Sequence, residues 1–188
     1  KPQAHILAGG IFALFTWSQA TSQELIDPGT ITVEAGSTYD ESGTFDAENL
    51  LDGETEEGNR DTHLGTHWLP LEGTFTETVT FDLGAAYDLA QLKILNTSNS
   101  GWNDSETDTF TLSLSKDEGA TFSDPSDPIA LKDFSEGFQR VLVLESGVTN
   151  VQLVVTNDQA NDQGTTDARV GLNEVQFYSG VDTDTDGM

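Results

Sequence analysis

The sequence predicts an all-β fold, with two antiparallel sheets packed as a sandwich or jelly roll. Three observations carry that prediction. Apolar residues recur at every second position in short runs, the mark of strands with one buried face. Clusters of Gly, Asn, Asp, Ser and Thr separate the runs, as loops between strands require. Beyond residue 20, the only helical hint is a short turn at Asp46 to Leu51.

The runs follow in order. "TITVEA" opens the domain, and "ETVTFDL" puts Val79, Phe81 and Leu83 on one face. "LAQLKIL" places Leu92 and Ile94 alike, and "TFTLSLS" does so with Phe110, Leu112 and Leu114. "RVLVLES", "VQLVVTN" (Val151, Leu153, Val155) and "NEVQFYS" (Val175, Phe177) complete the set. Seven or eight strands over about 150 residues suit a two-sheet sandwich.

The 188 residues suffice for one full domain with short extensions. Seven Lys and Arg against 33 Asp and Glu give a formal charge of -26. Such a field repels nucleic acid and anionic membranes, both of which demand a basic patch. Ten Phe, three Trp and three Tyr supply a core that a disordered acidic chain would lack. There is no Cys, which excludes thiol chemistry and favours a bacterial exported protein over an animal one.

Lys1 is the only charge before Glu24, and Ile6 to Phe15 is an unbroken apolar run of ten. That is too short to span a bilayer and matches the apolar region of a secretory signal. Ser18-Gln19-Ala20 offers a cleavage site; the alternative is a buried N-terminal element. The expected organisation is a signal peptide at 1–20, a polar spacer at 21–29, the sandwich at 30–179 and an acidic tail at 180–188. The protein is then secreted, extracellular or at the cell surface, with no membrane insertion in its mature form. The tail, "VDTDTDGM", holds the first half of a D-x-D-x-D-G calcium loop. It reads either as the start of a truncated calcium-binding repeat or as a plain acidic end.

The stretch Ala47 to Pro70 packs six carboxylates, two His and a Trp into twenty-four residues. Asp52-Gly53 within it is either a turn or part of a cation site. His63 and His67 are four apart, but in a Gly-broken loop that spacing carries no zinc signal.

Three segments, "STYDESGTFDAENLLDGE", "THW" before "TFDLG", and "GLNEVQFY", resemble the discoidin, or coagulation factor type C, family and the related family 32 carbohydrate-binding modules. The middle piece "ILNTSNSGWNDSETDTFTLSLSKDEGATF" is similar to that family's Asn-containing loop, strand and S-x-D-x-G turn. The resemblance covers Thr30 to Ser179. It implies an eight-stranded, galactose-binding-like jelly roll with a structural Ca2+ near the Asp-Gly loop. Carried over by residue, Asp52 and Glu174 would supply carboxylate oxygens and Thr66 its hydroxyl and carbonyl. Backbone carbonyls near Asn49 and Glu54 would complete the shell. Hard oxygen donors of these kinds are what calcium takes. Between Gly53 and Thr66 lie twelve residues, where the family has few. Thr55 or Thr62 could therefore replace Thr66, and Glu54, Glu56 or Asp61 could add carboxylates. Trp68 matches the family's Trp and reads as core more readily than as a sugar-stacking face.

No Ser-His-Asp elbow, HExxH, phosphate loop or dinucleotide fingerprint occurs, so the expectation is a binding module and not an enzyme. Sugar binding needs an aromatic face together with amides or Arg. "NTSNSGWND" offers Asn96, Asn99, Trp102 and Asn103, with Trp102 alternatively folded over a sheet edge. Arg60 and Arg169 are further candidates, or else surface ion-pair partners. Expected partners are neutral glycans or neighbouring extracellular protein modules. The alternative function is a structural module of a large bacterial surface protein or extracellular assembly, without a sugar ligand.

Overall fold

The computed structural model describes residues 23–39, 44–56, 66–98, 105–157 and 169–180. Among the described residues, seven strands form one antiparallel sheet curled upon itself: β1 (Glu24–Leu25), β2 (Thr32–Ala35), β3 (Thr76–Asn96), β4 (Thr109–Ser115), β5 (Ile129–Ala130), β6 (Gln139–Thr156) and β7 (Leu172–Ser179). The order is β1-β7-β3-β6-β4-β5, with β2 also pairing β3.

Among the described residues, two pairs of expected runs merge, and the two-residue strands β1 and β5 join the set. "ETVTFDL" and "LAQLKIL" are one 21-residue strand, β3, and "RVLVLES" and "VQLVVTN" are one 18-residue strand, β6. Each runs through both layers. The register between them slips between Asp82 and Gln91, and such bulges let a strand bend from one layer into the other. Gly84 sits at this corner with φ +76°, and a Cβ there would lie 2.5 Å from the Thr30 carbonyl oxygen. Only glycine meets both conditions.

The period-two pattern predicts the core well. Val79, Phe81, Leu83, Leu92, Ile94, Val151, Leu153, Val155, Val175 and Phe177 are all buried, each contributing about 1.5–3 kcal/mol. Phe81 and Phe177 meet edge to face across the layers, 5.0 Å between centroids. Leu112 and Leu114 are only partly buried, whereas their neighbours Ser113 and Ser115 are buried. Trp68 is core, its indole N–H donating to the Ser37 carbonyl (3.1 Å).

The segment 21–29 is not merely a spacer. Glu24–Leu25 pair with Ser179 and Tyr178 of β7, Ile26 is buried, and Asp27 caps a 3-10 turn at Pro28–Thr30. The expected signal peptide and the Asp182 to Asp186 tail lie outside the described residues. Among those described, no helix is long and apolar enough to cross a membrane.

Candidate functional site

The Asp52-Gly53 turn follows a 3-10 helix, Ala47–Leu51, whose Ala47 and Leu50 are buried. The Asn49 side chain ties this helix down, donating to the carbonyls of Thr44 (2.9 Å) and His67 (3.1 Å). Gly53 turns the chain with φ +78°. The Asp52 carboxylate accepts the Glu54 N–H at 2.7 Å, an Asx turn.

The first residues of β7 grip this loop. Asn173 donates its amide to the Glu56 carbonyl (2.9 Å), which also receives the Thr66 hydroxyl (3.4 Å). Glu174 receives the Gly53 N–H at 3.3 Å. Asp52 and Glu174, from opposite ends of the domain, are thus brought together, as the sequence suggested. Asn173 was missed; its only signal is its place beside Glu174.

The electrostatics of the pair are unusual. Glu174 is 1% exposed. Burial pushes its carboxyl up to about 8, and the Asp52 charge adds to the rise against the opposing Gly53 N–H. Burial likewise raises Asp52, with Glu54 contributing in the same direction. A buried carboxylate beside a second one needs a cation or a proton. The chemistry of the donors fits a hard cation such as calcium: two carboxylates from separate elements beside a tight turn. No cluster of three acidic or His side chains forms among the described residues, so backbone oxygens and water would fill the remaining positions. The Thr66 hydroxyl donates to the Glu56 carbonyl, which leaves its oxygen lone pairs unspent, and the Asn49 side chain acts as a staple.

His67 is buried edge-on to Phe45 (5.1 Å). Burial lowers its pKa to about 4, so it is neutral at pH 7. His63 lies outside the described residues.

The second region is the end of the sandwich where loop bases meet. The Asn96 side chain, 2% exposed, closes the loop between β3 and β4. Its amide nitrogen donates to the Thr107 and Lys132 carbonyls, and its oxygen accepts the Thr97 and Thr107 N–H groups. Thr107 donates its hydroxyl to Gly171 (2.8 Å), Asn157 its amide to the Arg169 carbonyl (2.9 Å), and Tyr39 its N–H to Leu69 (2.8 Å).

A family model for the F5/8 type C domain matches residues 32–166. The chain belongs to the F5/8 type C family. No curated protein sequence is significantly similar to it. Among solved structures, this F5/8 type C domain is similar to a family 32 carbohydrate-binding module from Clostridium perfringens in complex with GalNAc-β-1,3-galactose, at 19% identity and TM-score 0.60, covering 82% of this chain and 99% of that one. A second family 32 module, from C. perfringens NanJ in complex with galactose, matches at 12% identity and TM-score 0.59 over 84% and 100%. The lectin binding domain of lectinolysin, complexed with Lewis b, matches at 14% identity and TM-score 0.57 over 85% and 99%. At such identities the likeness concerns the fold, a galactose-binding-like β-sandwich.

Of the residues expected to touch a ligand in this F5/8 type C domain, Arg60, Asn99, Trp102 and Asn103 lie outside the described residues. Asn96 has spent its donors and acceptor on the backbone and offers nothing to a ligand. Arg169 must also be corrected. Its guanidinium is 0% exposed, stacks on Tyr39 (4.3 Å), pairs with Glu72 (3.2 Å) and donates to the Pro70 carbonyl (3.3 Å). It is a strut under the loops, because an aromatic face and a carboxylate from distant segments enclose it.

Proposed function

We propose that this F5/8 type C domain is a secreted, calcium-stabilised, non-catalytic module that binds neutral glycans, as in carbohydrate capture or adhesion, through loops at one end of the sandwich. The observation that carries the reading is the anchoring at that end: Asn96, Thr107, Asn157 and Arg169 are buried polar struts from which the candidate loops spring. Family membership supports a binding module, and several modules of this fold are known in complex with glycans. Residues 1–20 support export. The buried Glu174 carboxyl, raised by burial and by the neighbouring Asp52, supports the calcium. Its raised pKa resembles that of a catalytic acid, yet a carboxylate 1% exposed is out of reach of a polysaccharide.

Trp102 is the stacking face in this reading, with Asn99 or Asn103 as hydrogen-bond partners. The surrounding carboxylates repel sulfated and uronic chains, so neutral sugars are favoured. One aromatic face gives weak binding, roughly 0.1–1 mM or about 4 to 5.5 kcal/mol. Titration of neutral mono- and oligosaccharides, read by tryptophan fluorescence, is the test. Trp102→Ala should abolish the response while leaving the calcium-dependent melting temperature nearly unchanged. Silence of the intact protein across a neutral-glycan panel would sink the sugar reading in favour of a structural module in a surface assembly.

A further inference from the structure

The outer face of the curled sheet carries a second cluster of oxygens. Val33, Phe81 and Val151 point into the core, so their neighbours Thr32, Asp82 and Asn150 point outward. Asp82 pairs with both Thr32 and Asn150, and Glu34 pairs with Thr80 in the next row. Facing Cα atoms in such rows are about 4.5–5.5 Å apart, close enough for one bound group to touch three strands. These five residues line a recess of about 160 Å³.

Its lining is unusual in what it leaves unspent. Asn150 is 5% exposed, and its side-chain oxygen has no hydrogen-bond partner. An amide oxygen so placed is costly to bury unless something donates to it or coordinates it. Asp82 uses one oxygen on the Gly84 N–H (2.9 Å), and Thr80 receives the Gln152 amide (3.3 Å). Among the described residues, no basic side chain lines the recess to neutralise Glu34 and Asp82, and no aromatic ring lines it to stack on a sugar. The larger groove between Phe122 and Glu145 is the opposite case. There Asp117 is satisfied by Ser115 and Thr121, and Lys116 pairs with Glu145, so that groove has no unmet chemistry.

We propose that this recess binds a partly hydrated divalent cation of the calcium class, held by the Glu34 and Asp82 carboxylates and the Asn150 side-chain oxygen. Hard oxygens of mixed type are the set such ions take. The volume equals about five waters at about 30 Å³ each, so the ion keeps part of its hydration. Two carboxylates and an open rim place the affinity in the weak range of extracellular modules, about 10⁻⁴–10⁻³ M. The site shares no residue with the Asp52–Glu174 pair and stands or falls without it.

The test uses the full chain with Asp182, Asp184 and Asp186 all changed to Asn, which silences the tail, in physiological salt. The probe is calcium alone. The side-chain amide signal of Asn150 in NMR should shift saturably with calcium, and still do so when Asp52→Asn removes the interior site. Glu34→Gln should abolish that shift with little change in melting temperature in chelator, since the Glu34 side chain makes no hydrogen bond among the described residues. Asp82→Asn should do the same at some cost to the Gly84 turn. Equilibrium dialysis should find one bound ion fewer in either variant. A stationary Asn150 signal overturns the proposal. So does a shift that grows without saturation or survives Glu34→Gln, which would reveal only a diffuse counterion atmosphere.

Discussion

Of the turns that place Asp near Gly, Asp52-Gly53 and Asp117-Glu118-Gly119 hold carboxylates that behave in opposite ways. At the second turn Asp117 accepts the Thr121 hydroxyl (2.6 Å) and N–H (2.9 Å) and the Ser115 hydroxyl (2.7 Å). These donors, Thr121 foremost, hold its carboxyl down at about 2. At the first turn burial drives Glu174 up to about 8, because a long bond from the Gly53 N–H and one from the Gln176 side chain do not offset burial beside a second carboxylate. One turn supplies its own counter-dipoles. The other is electrostatically incomplete as a protein and becomes complete only with a cation or a proton.

The sharpest way to break this contrast is Glu174→Gln, because its stabilising effect in chelator should all but vanish with calcium. In chelator at pH 7, a carboxyl that ionises at 4.5 when unfolded and about 8 when folded costs on the order of 3 kcal/mol. Gln removes that cost, so the variant should be the more stable protein. With free calcium a hundredfold above its dissociation constant, the wild type gains about 2.7 kcal/mol that the variant forgoes. Asp52→Ala should also remove the calcium gain, and the double variant should lose little more. Denaturant midpoints with chelator and with calcium, in a background lacking the tail aspartates, check all of this. A Glu174→Gln that destabilises equally in both conditions would falsify the cation site.

A smaller effect, spread over pH, sharpens the same contrast. The folded Glu174 binds its proton more tightly than the unfolded chain does. Stability in chelator should therefore fall as pH rises from about 4.5 to about 8, by at most about 1.4 kcal/mol per unit, and then level off. Glu106 is raised by burial and by Asp133 and Asp108, and adds a slope of the same sign. Glu174→Gln should remove only its own share. In calcium the slope should flatten or reverse, since protons now displace the ion. Thermal melts from pH 4.5 to 9 under both conditions read this directly; superimposable curves would contradict it.

The smallest effect belongs to the self-sufficient turn. Asp117→Asn should lower the melting temperature slightly at pH 7, by the same amount with or without calcium. The carboxyl is depressed from 3.8 to about 2, so its contribution is present above 3.8 and fades as pH falls through 2. Wild type and variant should converge there. A calcium-dependent penalty for Asp117→Asn would mean the two turns are coupled after all.

Sequence made the strands legible because a one-sided core writes itself as alternation, as at Val79-Phe81-Leu83. It did not reveal that "DLGAAYD" is a bulged corner within β3, because a bulge and a loop use the same residues. Glu24–Leu25 was read as spacer because two residues are too few to show a period. Asp52 and Glu174 were legible together only through the family's pattern, since nothing local links them. Arg169 defeated the reading for a physical reason. Whether an arginine is exposed depends on who encloses it, and Tyr39 and Glu72 lie far away along the chain. The unspent oxygen of Asn150 is likewise a property of packing, invisible in a string of letters.

The pairing of β1 with β7 has a mechanical consequence. Glu24 faces Ser179 in antiparallel register, so the chain enters and leaves the domain side by side at one edge. Tension applied through those two ends peels that short ladder open rung by rung and does not shear it as a block. The next points of resistance are the buried Ile26 and the Gly180 N–H held by the Asp88 carbonyl (3.0 Å). Under load the domain should therefore yield first at this seam, while the grip of β7 on the Asp52 loop stays out of the line of force.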